Sequence, residues 1–377
     1  MSSSLTTFAR AADDAPAALL AVFAAVPDPR SRRGVRHPLP VILAVAAAAV
    51  LAGARSFTAI GEWVADQDGQ LMAKVGMPWT PGAHRPTEST IRRVLTRLDG
   101  QVLDQLIGAF MWTRTEVIEG RRVIAIDGKT VRGARTADRS TPHLVAAFDH
   151  TAGAVLGQVA LTAKSNEIPA VRTLLGSFDL AEAVVTVDAM HTQVDTATAI
   201  TDAGGDYVFT VKNNQPGLYA ACKALPWADV PAHSAVTTGH GRRARRTIKV
   251  VDAPAWVTFA GATQVAQLRR TVTRAGKKSV EVVYVITSAD HHDAPPATLA
   301  GWVQGHWGIE NQLHWVRDVT YDEDRSQVRT GNAPRVMATI RNTAVSLLRL
   351  TGWINIASAV RHHARDPERP VNLLLTW

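Results

Sequence analysis

Two apolar runs of strand length, each closed by an aspartate, constrain this chain most. Val123-Ile124-Ala125-Ile126 leads into Asp127, and Ala183-Val184-Val185-Thr186-Val187 leads into Asp188. Short, nearly continuous apolar runs read as strands buried on both faces. One Asp-Gly after a strand is most economically a turn. Two acids at two strand ends are more informative, because α/β proteins place functional groups outside the carboxyl edge of the sheet. Together they offer oxygen ligands to one or two hard divalent ions, with Mg2+ the expected choice.

The region before these runs, residues 15–115, reads as mostly helical. Pro16 to Ala25 carries Leu19, Leu20, Val22 and Phe23 at helical spacing, with Pro16 in the first turn. Val41 to Ala54 is uninterrupted and apolar. It falls short of the ~18 residues needed for a membrane span, so it predicts a buried helix. Phe57 to Asp66 is a further helix. Thr87 is placed to cap another, with Ile91, Val94, Leu95 and Leu98 as its stripe, Arg92, Arg93 and Arg97 off it, and Gly100 closing it. The start, MSSSLTTFAR, has no apolar stretch behind a basic one, so no signal peptide is expected. The single cysteine, Cys222, excludes an intramolecular disulfide framework and fits a reducing, cytoplasmic setting.

Beyond residue 120 the pattern changes to strands. His143–His150 and Ala154–Lys164 predict a hairpin through Thr151-Ala152-Gly153. A helix opened by Ser165, the Ala183–Asp188 strand, a helix over Thr192–Ala203 and a strand over Tyr207–Lys212 follow. The order β-β-β-α-β-α-β is that of a ribonuclease-H-like mixed α/β core, although periodicity alone says only mixed α/β. Residues 213–297 are β-rich and basic, with Arg242, Arg243, Arg245, Arg246 and Lys249 in one run and Arg269, Arg270, Arg274, Lys277 and Lys278 in the next. Helix returns from Thr298 past Trp315 and over Ala333–Leu350, with Asn332 as cap and Pro334 in the first turn. The expected segments are 1–115, 116–212, 213–297, 298–350 and a tail, 351–377.

Lysine and arginine exceed aspartate and glutamate by 41 to 33, a net charge of +8. That balance suits a polyanion such as DNA. The basic runs at 242–249 and 269–278 read as cationic hairpins that grip a DNA backbone, or as solvated edge strands. Asp290-His291-His292-Asp293 has metal-ligand residue types but reads as an exposed loop beside Pro295-Pro296. Gly128-Lys129-Thr130 lacks the upstream glycine of a phosphate-binding loop, which excludes an ATPase of that type.

A third acid lies in GWVQGHWGIENQLHWVRDVTYDED. Trp302, Ile309, Leu313 and Val316 form a packing stripe at helical spacing, and His306, Glu310 and Arg317 fall in line on an adjacent face. Spacing alone leaves Asp318, Asp322, Glu323 and Asp324 as alternatives to Glu310.

Together the motifs carry a resemblance. IDGKTVRGAR, VDAMHTQ, YVFTVKNNQP, GHGRRARR and HWGIENQLHWVRDVTYDEDRSQVRTGNAPRVMATIRN resemble, in order, a DDE insertion-sequence transposase of the H-repeat-associated type. The likeness runs from about residue 18 to about residue 350. It implies a ribonuclease-H-like catalytic core interrupted by a β-rich insertion, behind a helical N-terminal domain associated with DNA binding. It implies that Asp127, Asp188 and Glu310 are the catalytic acids and hold two Mg2+ ions, with Mn2+ able to substitute. The β insertion accounts for the 122 residues between Asp188 and Glu310. The wider superfamily carries a Tyr, an Arg and a Lys around the Glu; here Val303, His306 and Arg317 stand in those places. Lys129, His191, Lys212, His306, Arg317, Arg242 and Arg243 are the expected phosphate contacts. The implied activity is cleavage at transposon ends and strand transfer into target DNA, by a homodimer or higher oligomer on double-stranded DNA, with no membrane involved. A nuclease that cuts without joining and a catalytically silent DNA-binding derivative are the rival readings.

Overall fold

A computed structural model of the chain describes residues 18–33, 35–78, 84–115, 121–135, 141–161, 167–239 and 241–377. Pro16 and Ser165, expected to open helices, lie outside the described residues, as does residue 116, the expected first boundary. In chain order the elements begin with helices α1 (Leu19–Ala25), α2 (Leu39–Leu51), α3 (Phe57–Asp66), α4 (Gly69–Lys74), α5 (Glu88–Arg97) and α6 (Gly100–Trp112). Strands β1 (Arg122–Thr130), β2 (His143–Asp149) and β3 (Val155–Ala160) precede α7 (Glu167–Leu175), β4 (Ala183–Val187), α8 (Val194–Asp202), β5 (Asp206–Val211) and α9 (Pro216–Ala224). Then come β6 (Ala232–Gly239), β7 (Arg242–Asp252), β8 (Gln264–Arg274), β9 (Lys277–Thr287) and α10 (Pro296–Gly308). A π-helical stretch, Ile309–His314, leads into α11 (Trp315–Val319), α12 (Ala333–Leu350), α13 (Ile356–Ala364) and α14 (Glu368–Thr376). This is a mixed α/β fold with a helical N-terminal region.

The chain forms two compact units: Met1–Glu116 with Gly128–Phe178 and Ile309–Trp377, and Val117–Asp127 with Asp179–Gly308. In the first, α2 is the core element. All of its residues except Pro40 are buried, which is why its sequence is apolar all round. It packs against α1, α3, α12 and α14. No described helix is long and apolar enough to cross a membrane. Thr87 caps α5 as expected, its Oγ1 accepting from the Thr90 N–H at 3.4 Å. Gly100 does not close that helix. Asp99 accepts from the N–H groups of Gln101 and Val102 at 2.8 and 3.2 Å and so starts α6 at Gly100. Asn332 stands at the start of α12, but its side chain donates to the Leu98 carbonyl at 2.7 Å instead of capping. The tail, unreadable from periodicity, is two helices, and Leu19 N–H donates to the carbonyl of Trp377 at 2.9 Å. The expected hairpin is present as antiparallel β2 and β3, with Gly153 at a φ of +65° in the turn, where glycine has no steric penalty.

A buried ion cluster ties together the late segments of this unit. Glu323 is fully buried, with Arg317 at 2.7 Å and Arg341 at 2.8 Å, both also buried. The Arg341 guanidinium also donates to the carbonyl of Arg55. Burial alone pushes the Glu323 carboxyl up, but the two guanidinium groups more than reverse this and hold it at about 2.

In the second unit β1 pairs parallel with β4, from Arg122↔Ala183 to Ile126↔Val187, and β4 pairs parallel with β5. Residues 213–297 open with a helix, α9, which strand periodicity missed: Pro216 sits in its first turn and Cys222 is buried. The four strands that follow are not a separate module. β9 pairs antiparallel with β5 from Val208↔Thr287 to Val211↔Tyr284, so the sheet continues as β1-β4-β5-β9-β8-β7-β6. Val123, Val184, Val208, Val285 and Leu299 of α10 form one core cluster, with Trp302 and Val303 packed on it.

Replacing Glu323 by Gln should cost about 3–5 kcal/mol at neutral pH, because two buried guanidinium groups lose their counter-charge. Denaturant unfolding measures this. Because the folded pKa lies below the ordinary 4.5, the wild-type advantage should be full above pH 4.5 and shrink as pH falls toward about 2.

Candidate active site

The glycine after Asp127 does not make a turn. β1 continues through Asp127, Gly128 and Lys129 to Thr130. A Cβ on Gly128 would overlap the Glu167 carboxylate and the His143 ring. These two side chains face each other, with His143 Nε2 3.1 Å from Glu167 Oε2, and Thr130 Oγ1 lies 2.9 Å from His143 Nδ1. Gly133 is needed for a similar reason: a Cβ there would strike the backbone of Glu323 and Ser326. The two glycines of IDGKTVRGAR therefore mark close approach rather than chain reversal.

In the second unit, Asp127 and Asp188 each follow the last paired residues of β1 and β4, Ile126 and Val187. Neighbouring strands run about 4.8 Å apart, so this register sets the two acids side by side. Asp188 Oδ1 accepts from the Ala189 N–H at 2.7 Å and lies 3.5 Å from Lys212 Nζ at the end of β5. Both of these side chains are about half exposed. His306 of α10 is fixed by Thr186 of β4, Oγ1 to Nδ1 at 3.0 Å. Burial holds its imidazole below the ordinary range, although the charges of Asp127 and Asp188 pull it upward. His191, in a short turn after Asp188, is buried.

In the first unit, Glu310 lies in the π-helical stretch Ile309–His314. Its Oε2 is 3.1 Å from His314 Nδ1, and that hydrogen bond holds its carboxyl below the usual carboxylate range. One extra residue in a turn rotates the downstream residues by about 100° relative to an α-helix. Arg317, in line with Glu310 at α spacing, therefore falls on the buried side, 0% exposed and paired with Glu323, while Glu310 stays 55% exposed. Lys129 is also buried, with Nζ 2.6 Å from both oxygens of Asp318. Among the four alternative acids, Glu323 is thus consumed by two arginines and Asp318 by Lys129.

Arg242 and Arg243 are exposed at the start of β7 and pair with Arg274 and Thr273 of β8. Asp290, His292 and Asp293 are exposed on a loop, as expected, with Asp290 Oδ1 accepting from the N–H groups of His292 and Asp293.

Residues 118–347 match the family "Transposase DDE domain", and residues 20–111 match the family "DDE_Tnp_1-associated". This chain belongs to the DDE transposase family. It is 33% identical over 347 residues to "Putative transposase YncI" of Escherichia coli O157:H7, covering 88% of this chain and 87% of that protein. It is 31% identical over 341 residues to "H repeat-associated putative transposase YhhI" of Escherichia coli (strain K12), covering 86% and 88%. The same identity and coverage hold for "Putative protein YbfL" of the same strain. The family's DDE domain is ribonuclease-H-like, which accounts for the β-β-β-α-β-α-β order. The coarse functional class is a DNA-processing enzyme, in a family that generally uses a divalent metal.

The donor chemistry fits such an ion. Asp127 and Asp188 are paired carboxylates, one of them half exposed, and Mg2+ prefers oxygen ligands and keeps several waters. Sequence reasoning missed Thr186, His314, His143 and Glu167, and named Asp318 only as an alternative to Glu310. A polar residue inside AVVTV and a histidine four residues after Glu310 were available signals. The contacts of His143 and Glu167, far apart in sequence, were not.

Gly128→Ala should lower unfolding stability by about 1–3 kcal/mol, because the added methyl displaces Glu167 or His143. Equal stability in denaturant titrations would contradict this close packing.

Proposed function

We propose that this chain is a metal-dependent DNA transposase that cleaves at transposon ends and joins those ends to target DNA. The observation that carries the reading is the matched placement of Asp127 and Asp188 directly after the last β1–β4 pair, Ile126↔Val187, in a chain of the DDE transposase family. Asp127, Asp188 and Glu310 would hold two Mg2+ ions, with Mn2+ as a substitute. Bound there, the ions supply charge stabilisation to the phosphoryl group and lower the pKa of the attacking water or 3′-hydroxyl.

The chain's own residues prepare that chemistry. The β1–β4 register presents two carboxylates side by side, and the Ala189 N–H fixes one oxygen of Asp188. The Glu310 carboxylate is kept ionised by His314. Lys212, half exposed beside Asp188, is the first choice for a phosphate contact, and His306 is held beside both aspartates by Thr186. Arg242 and Arg243 serve as exposed backbone contacts. Lys129, His191 and Arg317 are buried and act by positioning: Lys129 through Asp318, Arg317 through Glu323. Two ends must be cut and joined together, so the working form is a homodimer or higher oligomer on DNA, in the cytoplasm.

In the first step water displaces one oxygen of the phosphodiester and leaves a 3′-hydroxyl at the transposon end. In the second, that hydroxyl attacks a phosphodiester of the target, forming a new 3′-oxygen–phosphorus bond as the target's own 3′-oxygen leaves as a hydroxyl. A labelled duplex carrying the flanking inverted repeat, with Mg2+ and a target plasmid, should yield both nicked and joined products. Asp127→Asn should lower both rates on the order of a thousandfold, a loss of several kcal/mol of transition-state stabilisation, with duplex binding retained. Cleavage without any joined product would favour a simple nuclease, and undiminished cleavage by the variant would remove Asp127 from the site.

A further inference from the structure

The helical N-terminal region of the first unit holds a cleft lined by six arginines. One side is the segment after α1, with Arg33, Arg36 and His37; the other is α5 and the residues before it, with Arg85, Arg93 and Arg97. No carboxylate lines it among the described residues. Of the lining arginines, Arg30 is held by Asp28 at 2.7 Å, while Glu88 pairs with Arg92, which is not part of the lining.

The remaining guanidinium groups have no acidic partner among the described residues. Arg93 donates to the carbonyl of Ser89, Arg97 to that of Pro29, and Arg85 to that of Ala65. Carbonyl contacts orient an arginine without neutralising it. Arg93 and Arg97 are four residues apart, on one face of α5, and both are exposed, as are Arg33 and Arg36. The concentration of charge is also felt by His37. Burial first, and then the charges of Arg30, Arg36 and His84, hold its imidazole below the ordinary range.

The lining also says what the ligand presents. Thr87 and Thr90 add hydroxyls, Val35 and Val94 are the apolar contributors, and among the described lining residues there is no Trp, Tyr or Phe. A site that reads bases in single strands uses aromatic platforms, whereas backbone readout needs only charge and hydrogen-bond donors. Guanidinium forks match phosphate oxygens two at a time.

We propose that this cleft is a second DNA site, which binds the phosphate backbone of duplex DNA without reading its sequence and independently of the catalytic acids. The proposal rests on the transposase reading only in taking duplex DNA as the ligand. The cleft gives the chain a grip on DNA that survives loss of the chemistry.

The test uses the full chain and a fluorescein-labelled random-sequence duplex of about 20 base pairs, with anisotropy followed across a salt series. The Arg33→Gln/Arg36→Gln/Arg93→Gln variant should bind at least ~10-fold more weakly at low salt, and its log–log salt slope should be shallower by about 2–3. A thermal melt matched to wild type establishes that the variant is folded. If it melts early, the single variants Arg33→Gln and Arg36→Gln, on an exposed segment, take its place, each with a slope change of about 1. Unchanged affinity and slope in folded variants would overturn the proposal. So would tighter competition by polyglutamate than by unlabelled duplex, which would assign the cleft to an acidic protein segment. Asp127→Asn is run in parallel. Loss of cleavage there with unchanged binding by the cleft variants defeats this proposal alone, and retained cleavage there defeats the catalytic reading alone.

Discussion

The second unit depends on the parallel pairing of β1 with β4, whose register of five residue pairs ends at Ile126 and Val187 and so sets Asp127 and Asp188 at matched positions. Neighbours then engage Asp188. The Ala189 N–H and the Lys212 ammonium both approach Asp188. Mg2+ prefers oxygen ligands and keeps several waters, and two carboxylates set by one strand register are a donor set of that kind.

Arginine plays opposite parts in the first unit, and burial separates them. Arg317 and Arg341 are desolvated completely and share one carboxylate, Glu323, so their charge is spent inside the fold. Arg33, Arg36, Arg93 and Arg97 are exposed and have no acidic partner among the described residues, so theirs remains available. A net charge of +8 is therefore a poor guide by itself. What matters is which positive charges the fold leaves uncommitted.

The parts of this structure that follow local rules were legible in the sequence. β1 and β4 follow from β-branched runs, the β2–β3 hairpin from Thr151-Ala152-Gly153, α5 from the Thr87 cap, and α12 to the residue from Pro334. The failures share a cause: a longer-range contact outweighed a local signal. Asp99 capping α6 overrode Gly100 as a stop. Asp127-Gly128 continues a strand, with His143 and Glu167 in the space that a side chain at position 128 would need. The basic strands after residue 230, expected as a β-rich insertion, pair into the same sheet through β9 and β5. Of the expected site residues, Asp127 and Asp188 rest on strand periodicity, whereas the alignment of Arg317 rests on a helical phase that the π-helical stretch changes.

That stretch has a physical logic. A π turn is less well packed than an α turn and is tolerated mainly where it serves something. Here it divides two jobs that an unbroken α-helix would put on one face. Ile309, Leu313 and Val316 remain buried, and Arg317 turns inward to Glu323, while Glu310 keeps its carboxylate toward solvent, with His314 bound to it from the buried side. An α-helical phase would leave Glu310 and Arg317 in line on one face. The π turn sends the arginine inward to Glu323, and the Glu310 carboxylate keeps His314 as its partner, which holds it below the usual carboxylate range.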